Sequence, residues 1–148
     1  MLSIIERVII LQSVDVFSEV PTEQLAHVAA IATEMSVSKD DVLFRMHDVS
    51  DAMYVVLEGE VRLSRGAQVV TVARQDDAFG TWSLFDDDPR VVDATAVQDA
   101  RLLKLARDDF MDLLADNVEI TRGVLKGIVM RLKGVAGRVS FDKDGPSS

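Results

Sequence analysis

Between about Met35 and Ala106 the chain breaks into apolar runs of strand length, each ended by turn residues, and this limits the fold more than any other feature. Val42-Leu43-Phe44 and Met53-Tyr54-Val55-Val56-Leu57 are short runs bounded by polar residues. Val61 and Leu63 alternate with Glu60, Arg62 and Ser64, the period of a half-buried strand. Val69-Val70-Thr71-Val72, then Val91-Val92 with Ala94-Thr95-Ala96-Val97, then Leu102-Leu103-Lys104-Leu105 continue the series. Gly59 and Gly66 mark tight turns. Strands this short, with turns this frequent, predict a sandwich or a barrel.

Helical patterns flank this region. Leu2, Ile5, Val8, Ile9 and Gln12 sit at helical spacing, with Ile4 and Leu11 alongside. Phe17 to Pro21 turns the chain, and Pro21 suits the first turn of a second helix carrying Leu25, Val28, Ala29 and Ala32 on one face. After the strands, Phe110, Leu113 and Leu114 mark a short helix. A longer one runs from about Asn117 to Val135 with a seam of Val118, Leu125, Ile128, Leu132 and Val135, broken by the polar Thr121. That seam allows a weak homodimer through the last helix. The 148 residues, 48% hydrophobic, suffice for one domain with a real core. We divide it as helices over 1–34, a β-barrel over 35–106 and helices over 107–138, with a frayed tail over 139–148.

Charge and composition exclude several function classes. The formal net charge of -9 argues against a nucleic-acid backbone as partner and works against a small anionic ligand unless local cations overcome it. No Cys is present, which removes disulfides, Cys-based zinc sites and a Cys nucleophile. No apolar run approaches the roughly 18 residues of a membrane helix. The opening Met1-Leu2-Ser3-Ile4-Ile5-Glu6-Arg7 has no cleavage pattern and does not read as a signal peptide. A cytoplasmic protein, or a cytoplasmic piece of a larger one, is expected.

The stretch that carries chemistry is Phe79 to Thr95. A strand ends at Phe79, Gly80 permits a sharp turn, a one- or two-turn helix follows through Thr81, Trp82 and Ser83, and the acidic Asp86-Asp87-Asp88 leads to Pro89-Arg90 and the next strand. A glycine entering a helix exposes free backbone N–H groups and the positive end of the helix dipole, an arrangement suited to an anion. Arg90 can point back at the same spot.

The order of helices, eight-odd short strands with a glycine-helix insert, and two final helices resembles the cyclic-nucleotide-binding domain family of the catabolite activator and cyclic-AMP-dependent kinase regulatory type. Met53 to Val61 looks like its hairpin around Gly59, and Phe79 to Thr95 aligns without a gap on its phosphate-binding cassette. That cassette reads Phe-Gly-Glu-Leu-Ala-Leu, a variable loop, then Pro-Arg-Ala-Ala-Thr/Ser; Phe79, Gly80, Leu84, Pro89 and Arg90 match it. The resemblance implies a mainly β fold with flanking helices: an eight-stranded double-stranded β-helix, or jelly-roll, barrel with N-terminal helices and two C-terminal helices. It makes Phe79, Gly80, Thr81, Trp82, Ser83, Arg90, Val91, Val92 and Asp93 the ligand-binding positions.

The chain departs from the pattern where the ligand would sit. Thr81 replaces the Glu that in the family holds the ribose hydroxyl, Val91 and Val92 replace two small residues, and Asp93 replaces the Ser/Thr that contacts the cyclic phosphate. Losing the charged hydrogen bond costs about 1.5–3 kcal/mol. A carboxylate near the phosphate adds about 1–4 kcal/mol of repulsion at ~4 Å. Together they weaken a micromolar binder by roughly a hundredfold to a hundred-thousandfold. Asp93, three residues from Arg90, is expected to pair with it as an internal substitute for the phosphate. Gly is usual in the family at Asp40 and His47; Asp and His tolerate positive φ better than most residues.

Competing readings remain for single residues. Arg90 is either an anion ligand or, as we favour, a strand residue salt-bridged to Asp93 or to the Asp86–Asp88 loop. Trp82 either packs on the barrel, the favoured reading, or lies over the pocket mouth. Asp86-Asp87-Asp88 reads as a solvated loop rather than a cation site. Gly123 and Gly127 are spaced for close helix approach. A cupin-like metalloenzyme would need several ligands from neighbouring strands, and only His27 and His47 exist. No catalytic set, metal site or cofactor is expected. The leading function is therefore a non-catalytic regulatory or interaction module with a degenerate nucleotide pocket, and the second is a working cyclic AMP or cyclic GMP sensor. About ten residues follow Arg138, so the chain is expected to be a fragment of a larger protein or to act by binding another protein.

Overall fold

The computed structural model describes residues 1–139. The chain opens with helix α1 (Ile4–Gln12). Its start is set by a capping box in which Ser3 Oγ accepts from Glu6 N while Glu6 Oε1 accepts from Ser3 N, at 3.1 and 2.9 Å. A short 3-10 turn (Asp15–Phe17) leads to α2 (Thr22–Ile31), with Pro21 at the position before its first turn. All four residues expected on its inner face, Leu25, Val28, Ala29 and Ala32, are buried. On α1 the pattern separates differently: Val8 and Leu11 are buried, whereas Ile5 and Ile9 stand 73% and 66% exposed.

Eight strands follow: β1 (Thr33–Val37), β2 (Val42–Phe44), β3 (Ala52–Glu58), β4 (Val61–Arg65), β5 (Gln68–Ala73), β6 (Ala78–Phe79), β7 (Asp93–Ala96) and β8 (Ala100–Ala106). They form two four-stranded sheets, ordered β1-β8-β3-β6 and β2-β7-β4-β5, in which the paired strands run antiparallel. This is the jelly-roll arrangement expected from the sequence. Asp40 and His47 take positive φ at 73° and 74°, as expected, and Asp76 joins them at 72°. Helices α3 (Arg107–Asp116) and α4 (Val118–Val139) complete the described chain. Asn117 Oδ1 accepts from Ile120 N at 3.1 Å and caps the start of α4. Val139, which the sequence assigns to a tail with residues 140–148, is instead the last residue of α4, and residues 140–148 lie outside the described residues.

Strand β3 is buried from Ala52 to Leu57, because it separates two apolar clusters. Met53, Val55 and Leu57, with Leu103 and Leu105 of β8, face Phe17, Leu25, Phe110, Ile120 and the rest of the helical layer. Ala52, Tyr54 and Val56, with Leu102, face the barrel interior beside Phe44, Val61 and Phe79. Strand period 2 thus sends alternate residues of one strand into two different cores.

The inner side of α4 is not the seam expected from the sequence. Ile120, Gly123, Val124 and Gly127 are buried, and Ile128 packs against the helical core. Val118, Leu125, Leu132 and Val135 are exposed. A Cβ on Gly123 would lie 2.8 Å from Val20 Cα, and one on Gly127 would lie 3.0 Å from Val16 O. The two glycines therefore let α4 press on the 15–20 segment of its own chain, not on a second helix.

Candidate functional site

Phe79 closes β6 and Gly80 turns the chain at φ 72°. The insert that follows is a single 3-10 turn, Thr81–Leu84, the shorter of the one or two turns expected. Four residues align too few peptide dipoles to make a helical anion site. Gly80 is required twice over: its φ is left-handed, and a Cβ there would lie 2.7 Å from Arg90 Nη1.

Arg90 is the centre of the arrangement. Its side chain is 4% exposed and tucks beneath Gly80. Nη1 donates to Ser83 Oγ and Nη2 to Ala52 O, both at 2.8 Å. Ser50 Oγ and Ser83 Oγ are hydrogen-bonded to each other. The guanidinium lies 4.0 Å over the Phe44 ring and 5.9 Å from the Tyr54 ring. Tyr54 stacks on Phe79 with centroids 5.3 Å apart, and Phe44 stands 6.2 Å from each. The barrel interior at this end is thus filled by three rings and a cation. Burial pushes the guanidinium below its ordinary value, opposed by Tyr54 and Asp51, and pushes the Tyr54 hydroxyl up, opposed by Arg90. Arginine's ordinary value is high enough that Arg90 stays charged at neutral pH.

The expected Arg90–Asp93 pair is not formed. Asp93 begins β7 opposite Ser64, and its Oδ1 accepts from Met46 N at 2.7 Å. The nearest carboxylate to Arg90 is Asp51, whose Oδ1 is 4.0 Å from Nη2 and whose side chain is 65% exposed. Asp86, Asp87 and Asp88 do not reach it either; among the described residues none of the three forms an ion pair. The reason is geometric: Asp93 is held by strand register, while Arg90 precedes the strand and turns inward to a hydroxyl and a carbonyl.

An open cleft of about 340 Å³ lies over this arrangement, lined by Ser50, Gly80, Thr81, Trp82, Ser83, Asp86, Asp88, Pro89, Arg90 and Val91. Six of the nine positions the sequence singled out therefore come together at the cleft. Phe79 and Val92 instead pack with the barrel cluster, and Asp93 is engaged at Met46. Trp82 is 49% exposed at the cleft wall, not packed on the barrel, and Arg131 of α4 lies 5.1 Å from its ring centre.

Several contributors carry no sequence signal. Arg107 opens α3, and its Nη1 donates to Ser50 O, Ser83 O and Asp86 O at 2.6, 3.3 and 2.8 Å, clamping the insert from outside. Ala52 enters through its carbonyl alone. Such contacts depend on pairing across the fold, which residue spacing does not encode. Among the described residues no group of three or more His, Cys, Asp or Glu is placed to hold a metal, and no helix is long and apolar enough to cross a membrane.

Residues 34–117 match the family model of the cyclic nucleotide-binding domain. The CRP-like cAMP-activated global transcriptional regulator of Mycobacterium tuberculosis is 26% identical over 129 residues, covering 84% of this chain and 58% of that protein. The chain therefore spans under two thirds of this relative. The N-terminal domain of a transcriptional regulator from Streptomyces coelicolor superposes with a TM-score of 0.82 at 29% identity, covering 90% of this chain and 98% of that one. The regulatory domain of Toxoplasma gondii PKA, solved with cAMP, superposes with a TM-score of 0.68 at 29% identity over 74% of this chain and 44% of that one.

Proposed function

Since the chain belongs to the cyclic nucleotide-binding domain family, we propose that it is a non-catalytic regulatory and interaction module, cytoplasmic, whose pocket is closed to tight binding of cyclic AMP. The observation that carries this reading is the engagement of Arg90 by its own protein. Moving the guanidinium out to a cyclic phosphate would break its bonds to Ser83 Oγ and Ala52 O and lift it from Phe44, although Nε has no protein partner to give up. Each charge-assisted hydrogen bond surrendered costs about 1.5–3 kcal/mol. Thr81 offers no carboxylate to a ribose. Val92 packs with the barrel cluster, so the bulk that replaces a small residue is turned inward there. The repulsion expected from Asp93 is not needed for this reading.

Isothermal titration with cyclic AMP, cyclic GMP and cyclic dinucleotides at physiological salt tests it. Dissociation constants no better than high micromolar are expected. A low-micromolar constant overturns the reading in favour of a working cyclic-nucleotide sensor, which has Phe79, Gly80 and Arg90 on its side.

The exposed side of α4 extends the proposal to a weak homodimer. Val118, Leu125 and Leu132 recur every seventh residue, with Arg122 and Val129 between them and Ala136 after them, all exposed. This is the alternating four-three spacing of a two-stranded coiled-coil seam, one step removed from the seam read in the sequence. Val129 and Leu132 follow the branched-then-Leu preference of parallel pairs, and Arg122 is the break that keeps the association weak.

A further inference from the structure

We propose that the cassette face, comprising the 3-10 turn, the acidic loop and the β2–β3 loop, docks a protein segment in which Lys or Arg side chains stand beside aliphatic ones. The proposal rests on the closed-pocket reading and supplies the partner class for it.

Three exposed apolar groups surround the cleft. Trp82 and Val91 line it and are 49% and 64% exposed. Val49 is 77% exposed and sits between Asp48, whose carbonyl accepts from Arg90 N at 2.9 Å, and Ser50 in the cleft wall. Trp is among the side chains enriched at the energetic centres of interfaces. Apolar side chains gathered near one opening can be covered together by one partner.

Charge selects the partner. Asp86 and Asp88 line the cleft, and Asp87 stands exposed between them. Asp51 is also largely exposed. The cations nearby are largely engaged: Arg90, though it lines the cleft, gives Nη1 and Nη2 to Ser83 and Ala52, Arg107 is bonded to three backbone carbonyls, and Arg131 over Trp82 is paired with Asp15 at 3.7 Å, which leaves Arg45 of the β2–β3 loop as an exposed cation on this face. Arg65, at the far edge, donates to Val91 O at 3.3 Å. The mouth of the cleft is left acidic in a chain of net charge -9, which repels nucleic acid, anionic lipid and a second copy of the same face. A basic segment is attracted, and its aliphatic groups can cover Val49, Pro89 and Val91. The protein already shows the preference of the Trp82 ring, since Arg131 places a guanidinium over it.

The test titrates the isotope-labelled full chain with capped peptides of alternating Arg and Leu, or Glu and Leu, reading amide shifts and the fluorescence of Trp82, the only Trp. The Arg peptide is expected to shift residues 47–51 and 80–91 and to weaken as salt rises. The triple change Asp86→Asn, Asp87→Asn, Asp88→Asn should weaken it about tenfold or more, the scale of lost charge complementarity. Asp40→Asn with Asp41→Asn, on the β1–β2 turn, should leave it unchanged. Shifts spread over the whole acidic surface, equal weakening by both sets of changes, or equal binding of the Glu peptide overturns the proposal. Cyclic AMP added to a separate sample reports on the pocket alone: tight nucleotide binding overturns the closed-pocket reading, whereas a misplaced peptide footprint overturns only the docking surface.

Discussion

Arg90 is a buried cation held without a close carboxylate, and its energetics follow from that. Arg90→Ala leaves Ala52 O, itself fully buried, without its donor and opens a cavity beneath Gly80. The expected loss is about 2–4 kcal/mol from the unsatisfied group and the void. Arg90→Met fills most of that volume and removes the buried charge, so it should recover roughly half. Urea midpoints of the two variants check the order; an Ala variant as stable as the Met variant contradicts it. Glu34 supplies a pH prediction. Its Oε2 accepts from Leu2 N at 2.8 Å and lies 3.3 Å from Arg7, which holds the carboxyl below the ordinary carboxylate range. A lowered folded value means that its stabilisation is present above the ordinary carboxylate value and fades as pH falls through the lowered one. Glu34→Gln should flatten that acid limb in urea melts recorded across pH.

Helix α4 carries the predictions that belong to elements. Ala normally improves a helix over Gly by about 1 kcal/mol. At Gly123 the added methyl meets Val20 Cα and Glu19 O at 2.8 and 3.0 Å, and overpacking of this kind costs about 1–3 kcal/mol. Gly123→Ala should therefore lower the melting temperature, while Gly134→Ala, with nothing within 4 Å, should raise or keep it. The opposite face decides association. Leu125→Glu should abolish any dimer seen by sedimentation, and Arg122→Leu should tighten it by removing the charged break. A monomer at high micromolar concentration in both the parent and the Arg122→Leu chain excludes this seam.

At the scale of the whole molecule, the two apolar clusters share β3 and β8, so neither can lose its packing alone. A line of rings binds the cassette to the helices as well. Trp82 to Phe85, Phe85 to Phe110 and Phe110 to Phe17 step at 6.4, 6.0 and 5.8 Å between centroids. Unfolding should be a single transition, with Trp82 fluorescence and far-ultraviolet dichroism changing together. Separated midpoints would show the cassette opening ahead of the barrel.

The strand-and-helix order, the barrel, the positive-φ turns at Asp40 and His47 and the meeting of Gly80 with Arg90 were all legible in the sequence, because period, turn chemistry and a gapless motif are local properties. What surrounds Arg90 was not. Asp93 is three residues away and of opposite charge, yet strand register commits it to Met46 N. Ala52 and Arg107, distant in the chain, supply the bonds that hold the cassette. The phase of α4 was likewise decided in three dimensions. Apolar residues lie almost all round the helix, so spacing alone admits more than one seam. The close approach of Gly123 and Gly127 to the 15–20 segment selects which residues turn inward and leaves Val118, Leu125, Val129 and Leu132 facing out. Local periodicity determines which elements form; only the packing of elements far apart in sequence determines which side chains meet.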